Sequence, residues 1–266
     1  MNAKSIFQDV EKIREKSPLI HNITNYVVMN TTANALLALG ASPVMAHAAE
    51  EVEEMVALAG AVGGALVINI GTLSKPWIDS MAKAMRKADS IQVPIAFDPV
   101  GAGATKLRTD TCRMLLDAVA PTVIRGNASE IMALLHTDVR TKGVDSRHAT
   151  ADAVDAARAL AEQYRCVVCI SGAVDVVTDG KQEIRIANGH PLMPRVTGLG
   201  CTATALIGAF LAVNRDALTA TAHAMAVMGI AGELAAEKSE GPGTLQLHFY
   251  DALYALNEHQ IEARLK

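Results

Sequence analysis

Short apolar runs, each too brief for a helix and each closed by a polar residue, Gly or Pro, recur along this chain and constrain it most. Ala65-Leu-Val-Ile-Asn-Ile70 stops at Gly71, and Val93-Pro-Ile-Ala-Phe-Asp98 stops at Pro99. Pro121-Thr-Val-Ile-Arg125 runs into Gly126, and Cys166-Val-Val-Cys-Ile170 into Ser171-Gly172. Strands apolar on both faces must be covered on both faces, which is the mark of a parallel sheet between helices. Stretches with helical spacing separate them: 5–16, 30–40, 49–60, 75–88, 107–119, 128–136 and 151–164. Residues 18–25 read as a short extended piece, Ser42–Ala46 as a strand, and the polar segment 137–149 as a surface loop. Asp175-Val-Val-Thr178 and Gln182–Ile186 flank Asp179-Gly180 and read as a β-hairpin. Helices over 201–213, 216–237 and 248–264 follow, with a loop at 237–243. The expected architecture is α/β, a three-layer sandwich with a mostly parallel central sheet, in one domain spanning 1–266.

In open sheets of this kind ligands sit beyond the carboxyl ends of the strands. Those ends carry Asn22 and Asn25, Met45, Asn69, Asp98, Arg125-Gly-Asn127 and Ser171-Gly172. The last of them leads to Val196-Thr-Gly-Leu-Gly-Cys-Thr-Ala-Thr-Ala205, where a chain turning on Gly198 and Gly200 enters an apolar helix. The first amides of a helix have no partner within it, and with the helix dipole they form an anion site. Cys201 stands at the mouth of that site. A carboxylate, an arginine, a hydroxyl and an amide cradle on one edge suit phosphoryl transfer, where positioning and charge neutralisation do most of the catalysis.

Other classes fit less well. A net charge of −4 argues against a general polyanion binder, and 3% aromatics make a poor stacking platform for nucleic acid. Four cysteines in 266 residues do not form a disulfide framework, so a reducing cytoplasm is the expected compartment. The charged N-terminal stretch has no signal-peptide core. Val196–Asn214 is uncharged and about as long as a bilayer is thick, yet its Gly, Ala and Thr content reads as a buried core helix, and no membrane partner is expected. The eight histidines show no ligand spacing, so no structural zinc is expected.

Several residues carry two readings. Asp98 before Pro99 suits a turn as well as a ligand site. Asn127-Ala-Ser-Glu130 has capping-box spacing, in which Glu130 satisfies only backbone donors. Arg125 follows three apolar strand residues, an expensive place for a charge without an anionic partner. Cys166 and Cys169 match Cys-x-x-Cys but point to opposite faces of a strand, as buried hydrophobes do. Gly101-Ala-Gly-Ala-Thr-Lys106 lacks P-loop spacing and reads at most as a flexible loop on the phosphate side.

Taken together, Thr24-Asn-Tyr-Val27, Asn34–Met45, Asn69–Leu73, Phe97–Ala104, Ile124–Ile131, Gly198-Leu-Gly-Cys201 and Glu240-Gly-Pro-Gly243 resemble the hydroxyethylthiazole kinase family of the ribokinase-like superfamily. The resemblance implies transfer of the ATP γ-phosphate to the alcohol of 4-methyl-5-(2-hydroxyethyl)thiazole in thiamine salvage, with Mg2+. It implies a homotrimer with thiazole pockets between subunits. By position, Met45 and Gly198 would contact the thiazole and Asn25 would lie near it. Arg125 and Ser171 would bind ATP, Ser171 replacing a frequent Thr, and Asp98 and Glu130 would serve the magnesium and phosphate side. Leu199 replaces the Thr common in the family's Gly-Thr-Gly-Cys, which leaves the backbone cradle intact.

Cys201 stands where sugar kinases of the superfamily have an Asp base. A helix N-terminus lowers a thiol pKa, so a thiolate is an open option there. A loose transition state asks little of a base, so the expectation is a positioning group or weak base, with the amides of Gly198–Cys201 supplying most stabilisation. Three alternatives stay open. One is a kinase for another vitamin-precursor alcohol of the pyridoxine or hydroxymethylpyrimidine type. Another is an acyl transferase or hydrolase with Cys201 as nucleophile and His21 the nearest partner. The third is a non-catalytic nucleotide sensor.

Overall fold

A computed structural model describes residues 1–135 and 146–266 of the chain, so the loop expected over 137–149 lies largely outside the described residues. The strands are β1 (Leu19–Ile23), β2 (Ser42–Val44), β3 (Ala65–Asn69), β4 (Ile95–Asp98), β5 (Val123–Asn127), β6 (Val167–Ser171), β7 (Asp175–Thr178) and β8 (Glu183–Ile186). They form one sheet in the order β2-β1-β3-β4-β5-β6-β7-β8. The first six are parallel, and β7 and β8 continue antiparallel as the expected hairpin.

The helices in chain order are α1 (Ala3–Lys16), α2 (Met29–Leu39), α3 (Val52–Ala61), α4 (Lys75–Ser90), α5 (Lys106–Ala118) and α6 (Ala128–Leu134). They continue as α7 (Ser146–Tyr164), α8 (Leu199–Val213), α9 (Ala217–Ala236), α10 (Pro242–Ala255) and α11 (Glu258–Arg264). Two cores result. One holds α1, α2 and α8 to α11 against one sheet face, and the other holds α3 to α7 against the opposite face. Successive strand residues alternate between them: Ala65 and Val67 enter the first core, Leu66 and Ile68 the second. Cys169 and Cys166 likewise fall in different cores, as their strand spacing requires.

The helix that matters most for the site is α8, buried along most of its length. A methyl group built on Gly208 would stand 2.7 Å from Val67 Cγ2, so only glycine lets α8 lie this close to β3. That approach fixes the head of α8 over the carboxyl ends of the central strands. The span weighed at 196–214 forms this 15-residue helix. Among the described residues one helix, α9, is long and apolar enough to cross a membrane by length and composition, and 83% of its apolar window is buried in the protein.

Most boundaries shift by a few residues, and some shifts bear on the argument. Helix α8 starts at Leu199 rather than 201, which puts Cys201 inside its first turn. Helix α7 starts at Ser146 rather than Ala151, and α3 continues past Gly60 to Ala61. The single helix expected over 248–264 is two. Helix α10 begins at Pro242, which shortens the loop at 237–243, and Asn257 then starts α11 by accepting from the Gln260 N–H at 3.0 Å while Gln260 Oε1 accepts from the Asn257 N–H. That capping box interrupts a run whose apolar spacing alone would have continued.

Candidate active site

Gly198 caps α8 with φ +86°, in the left-handed region. Thr202 is the first residue to bond into the helix, its N–H reaching Gly198 O at 2.8 Å. Among the described residues nothing on the backbone accepts from the N–H groups of Leu199, Gly200 and Cys201, and no side chain caps them. The turn is not sealed: Gly198 and Gly200 are partly exposed, while the Leu199 side chain is buried and leaves its amide free. A methyl on Gly200 would stand 2.9 Å from Arg125 Nη1, so the guanidinium lies directly against this turn.

From the turn opens a cleft of about 910 Å3. Arg125, Asn127 and Ser171 line it at the strand ends, and Met193, Met225 and Met228 supply an apolar wall. Such a lining, apolar with a few convergent polar groups, suits a planar base joined to a charged tail.

A lateral chain of side-chain contacts crosses the strand ends on the other side of the turn. Asn25 Nδ2 donates to Asn69 Oδ1 at 2.9 Å, and Asn69 Nδ2 donates to Asp98 Oδ2 at 3.1 Å. Thr204 of α8 donates to the same oxygen at 2.7 Å, and Arg125 Nη1 stands 3.7 Å from it. Arg125 Nη2 in turn donates to Ser171 Oγ. The expensive arginine therefore has its anion, and Asp98 is the last residue of β4 rather than a turn residue. Asp98 is 1% exposed, and among the described residues its Oδ1 is buried without a partner.

Burial is the largest influence on Asp98 and pushes its pKa up to about 6 despite Arg125, Thr204 and Asn69, with Glu130 adding to the rise. The unfolded chain releases this proton near 3.8. Between those values the folded state keeps a proton that the unfolded state has lost, so stability falls as pH rises from about 4 through about 6. Asp98→Asn removes that loss. Its melting temperature relative to wild type is expected to rise by on the order of 5 °C between pH 4 and pH 7.5 in metal-free buffer. A difference that stays flat across this range would contradict the assignment.

Glu130 keeps its capping-box role. Oε2 accepts from the Asn127 N–H and Oε1 from the Gly101 N–H, both at 2.8 Å. The second bond ties down the loop after β4, and Arg108 donates to Ile70, Gly71 and Val100 carbonyls beside it. Gly101–Lys106 is thus clamped to the sheet ends rather than loose.

The surroundings of Cys201 weigh against the thiolate option. Its sulfur is close to Asn25 Nδ2 at 3.5 Å. Burial chiefly, then the Asp98 charge, pushes the thiol up to about 11 against the amides of Asn69 and Asn25. Among the described residues no hydrogen bond joins His21 to Cys201, and the Nε2 of His21, in β1, pairs with Ala46 O at 2.8 Å. Cys201→Ala is expected to keep kcat within about tenfold, less than the roughly 10²–10⁴-fold that a true general base contributes. Iodoacetamide at pH 7.5 should inactivate wild type only slowly. A burst of alkylation within seconds would show a thiolate that this geometry does not support.

Met45 lies just past β2, half-exposed, outside the hydrogen-bonded chain. Aromatic stacking brings its loop to Asn25: Trp77 packs on Tyr26 at 4.9 Å and on His47 at 4.6 Å between centroids. Val28, at the head of α2, closes on Gly198. Sequence reasoning missed Thr204, Arg108 and Glu233. The last accepts from the Gly189 N–H at 3.0 Å and from Asn188 Nδ2 at 3.2 Å, bracing one cleft wall. A lone carboxylate in the apolar α9 and a hydroxyl in the apolar α8 were the available signals. Among the described residues no cluster of three or more His, Cys, Asp or Glu has the grouping of a metal centre.

A family model described as the hydroxyethylthiazole kinase family matches residues 10–259. The hydroxyethylthiazole kinase of Syntrophus aciditrophicus (strain SB) is 61% identical over 258 residues, covering 97% of this chain and 94% of the relative. A solved structure of the hydroxyethylthiazole kinase protein from Pyrococcus horikoshii OT3 superposes with a TM-score of 0.90 at 47% identity, covering 99% and 98% of the two chains. The Staphylococcus aureus pyridoxal kinase in complex with pyridoxal shares the fold alone, with a TM-score of 0.61 at 16% identity over 80% of this chain and 86% of that one.

Proposed function

The chain belongs to the hydroxyethylthiazole kinase family, and from that premise we propose that the head of α8 receives the migrating phosphoryl group while Arg125 and Ser171 hold the nucleotide. The enzyme transfers the γ-phosphoryl group of ATP to the alcohol of 4-methyl-5-(2-hydroxyethyl)thiazole, a step of thiamine biosynthesis. The observation that carries the assignment of roles is the unpaired amide set at Leu199, Gly200 and Cys201, opening on the cleft beside Arg125. In that arrangement the three N–H groups and the guanidinium take up the charge spread over the equatorial phosphoryl oxygens.

The acceptor alcohol lies on the opposite side of the turn, among Asn25, Cys201, Gly198 and Met45. The neutral Cys201 thiol orients the hydroxyl instead of taking its proton, which a loose transition state leaves in place until late. Magnesium asks for one or two carboxylate oxygens alongside phosphate and water. The donor set fits: Asp98 Oδ1 is a buried oxygen without a partner, and each Glu130 oxygen has one lone pair left. Bound by Glu130 and Asp98, the ion supplies neutralisation of the β- and γ-phosphate charge.

Tyr26 and Val27, beside Asn25, are 66% and 63% exposed, an apolar face that a second copy of the chain would cover. On this reading the enzyme is a cytoplasmic homotrimer with its thiazole pockets between subunits. Light scattering then returns the mass of three chains, and the mass of one chain would refute it. The assignment of roles is tested by steady-state kinetics with MgATP and the thiazole alcohol on Ser171→Ala. The expected result is a rise in the ATP KM of roughly three- to tenfold with the thiazole KM unchanged, the loss of one hydrogen bond of ordinary strength. A change confined to the thiazole KM would place Ser171 on the wrong substrate.

A further inference from the structure

Asn69 ends β3 at the middle of the site, 1% exposed. Its Oδ1 accepts from Asn25 Nδ2 and from the Gly71 N–H, each at 2.9 Å. Its Nδ2 faces Asp98 Oδ2 at 3.1 Å. Two donors at one end and a carboxylate at the other leave a single amide orientation, because a flip would set oxygen against oxygen. The strand register explains why this residue occupies this place. Asn69 pairs directly with Asp98 across β3 and β4, and Asn25 follows β1 on the other side. Strands β1 and β4 are two steps apart, about 9–10 Å, too far for Asn25 and Asp98 to touch directly. One amide spans that gap.

We propose that Asn69 is a positioning residue for phosphoryl transfer, a bridge through which the acceptor-side amide of Asn25 and the phosphate-side carboxylate of Asp98 are set by one side chain. This rests on the reading that the alcohol lies by Asn25 and Cys201 and the phosphates by Arg125. The carboxylate that Asn69 grips is held from above by Thr204, so the two donors together fix the direction of its partnerless oxygen. On the other side, Asn69 holds the Asn25 amide against the Cys201 sulfur. Loss of the bridge frees both groups at once without removing either.

Asn69→Asp is the sharpest test. It keeps an acceptor for Asn25 and Gly71 and loses only the donation to Asp98, placing two carboxyl groups side by side. Displacements of an ångström in a reacting pair lower rates by as much as about 10²-fold. In steady-state assays with MgATP and the thiazole alcohol, kcat is expected to fall roughly 10- to 100-fold with both KM values within about threefold of wild type. Calorimetric affinity for ADP is expected to stay within about threefold, a readout that a merely loosened fold would not preserve. Should Asn69→Asp fail to fold by circular dichroism, the neutral Asn69→Ser takes its place with the same expected split. A kcat within twofold of wild type, or a loss carried by KM alone, overturns the inference while wild-type activity leaves the reading of the site standing. If Asn25→Ala, assayed in parallel, leaves both the thiazole KM and kcat unchanged, the reading itself fails and the inference falls with it.

Discussion

Gly198→Val is expected to abolish measurable turnover while the protein still folds. Gly198 holds φ +86°, and a side chain in the left-handed region costs about 1–2 kcal/mol, more for a β-branched one. Its Cβ would also stand 2.6 Å from Val28 Cγ1, and Val28 cannot retreat because it is 2% exposed. The cheaper response is for the turn to move, which carries the three free amides away from the phosphoryl path. Losing one such donor costs about 10²–10³ in kcat. Displacing several is expected to lower kcat/KM by more than about 10³-fold. Circular dichroism and a melting temperature lowered by only a few degrees would separate this from unfolding. A folded variant keeping a tenth of wild-type kcat would show that the cradle does not carry catalysis.

Arg125→Met is expected to have a loss of similar size, from two directions. It removes the guanidinium that lies against Gly200 and binds Ser171, and positive groups placed on a transferring phosphoryl are worth up to about 10³-fold or more. It also strips the buried Asp98 carboxylate of its cation, so the Asp98 pKa rises further. The sign of the stability effect follows. With the folded pKa raised, stability is retained while Asp98 is protonated and lost as pH climbs past that value. The melting temperature of Arg125→Met should therefore fall further below wild type at pH 8 than at pH 5. Arg125→Lys is expected to restore little activity, because an ammonium cannot reach Asp98, Ser171 and phosphate as one planar fork does. Full rescue by lysine would mean that charge alone, without geometry, is what the site requires.

The layers of this fold are written in local pattern. Ala65–Ile70 and Val93–Asp98 are apolar on consecutive positions because each faces a core on both sides, and that reads directly as parallel strands. The Asn127–Glu130 capping box is legible from spacing because both partners lie within one turn. What stayed hidden is non-local. Thr204 meets Asp98 across 106 positions, and Asn69 meets Asp98 across 29, so nothing in the neighbouring residues announces either bond. Glu130 also bonds Gly101, a partner that spacing could not supply. The burial of Cys201 stayed hidden for the same reason. The helix start was visible, but the depth of the thiol among Asn25, Asn69 and Asp98 depends on packing from three other strands. The break between α10 and α11 shows the limit of periodicity, since Leu256 and Ile261 are both buried although a cap divides them.

Hydrogen exchange at the head of α8 bears most directly on the central claim. In the free enzyme the amides of Leu199, Gly200 and Cys201 have no acceptor among the described residues, so a peptide covering residues 197–203 should exchange quickly at those sites. With ADP, aluminium fluoride, magnesium and the thiazole alcohol bound as a mimic of the transferring phosphoryl group, exchange there should slow by at least about tenfold, as newly formed hydrogen bonds require. Unchanged exchange at 197–203, with protection appearing only around Arg125 and Ser171, would mean that the nucleotide binds while the cradle stays idle.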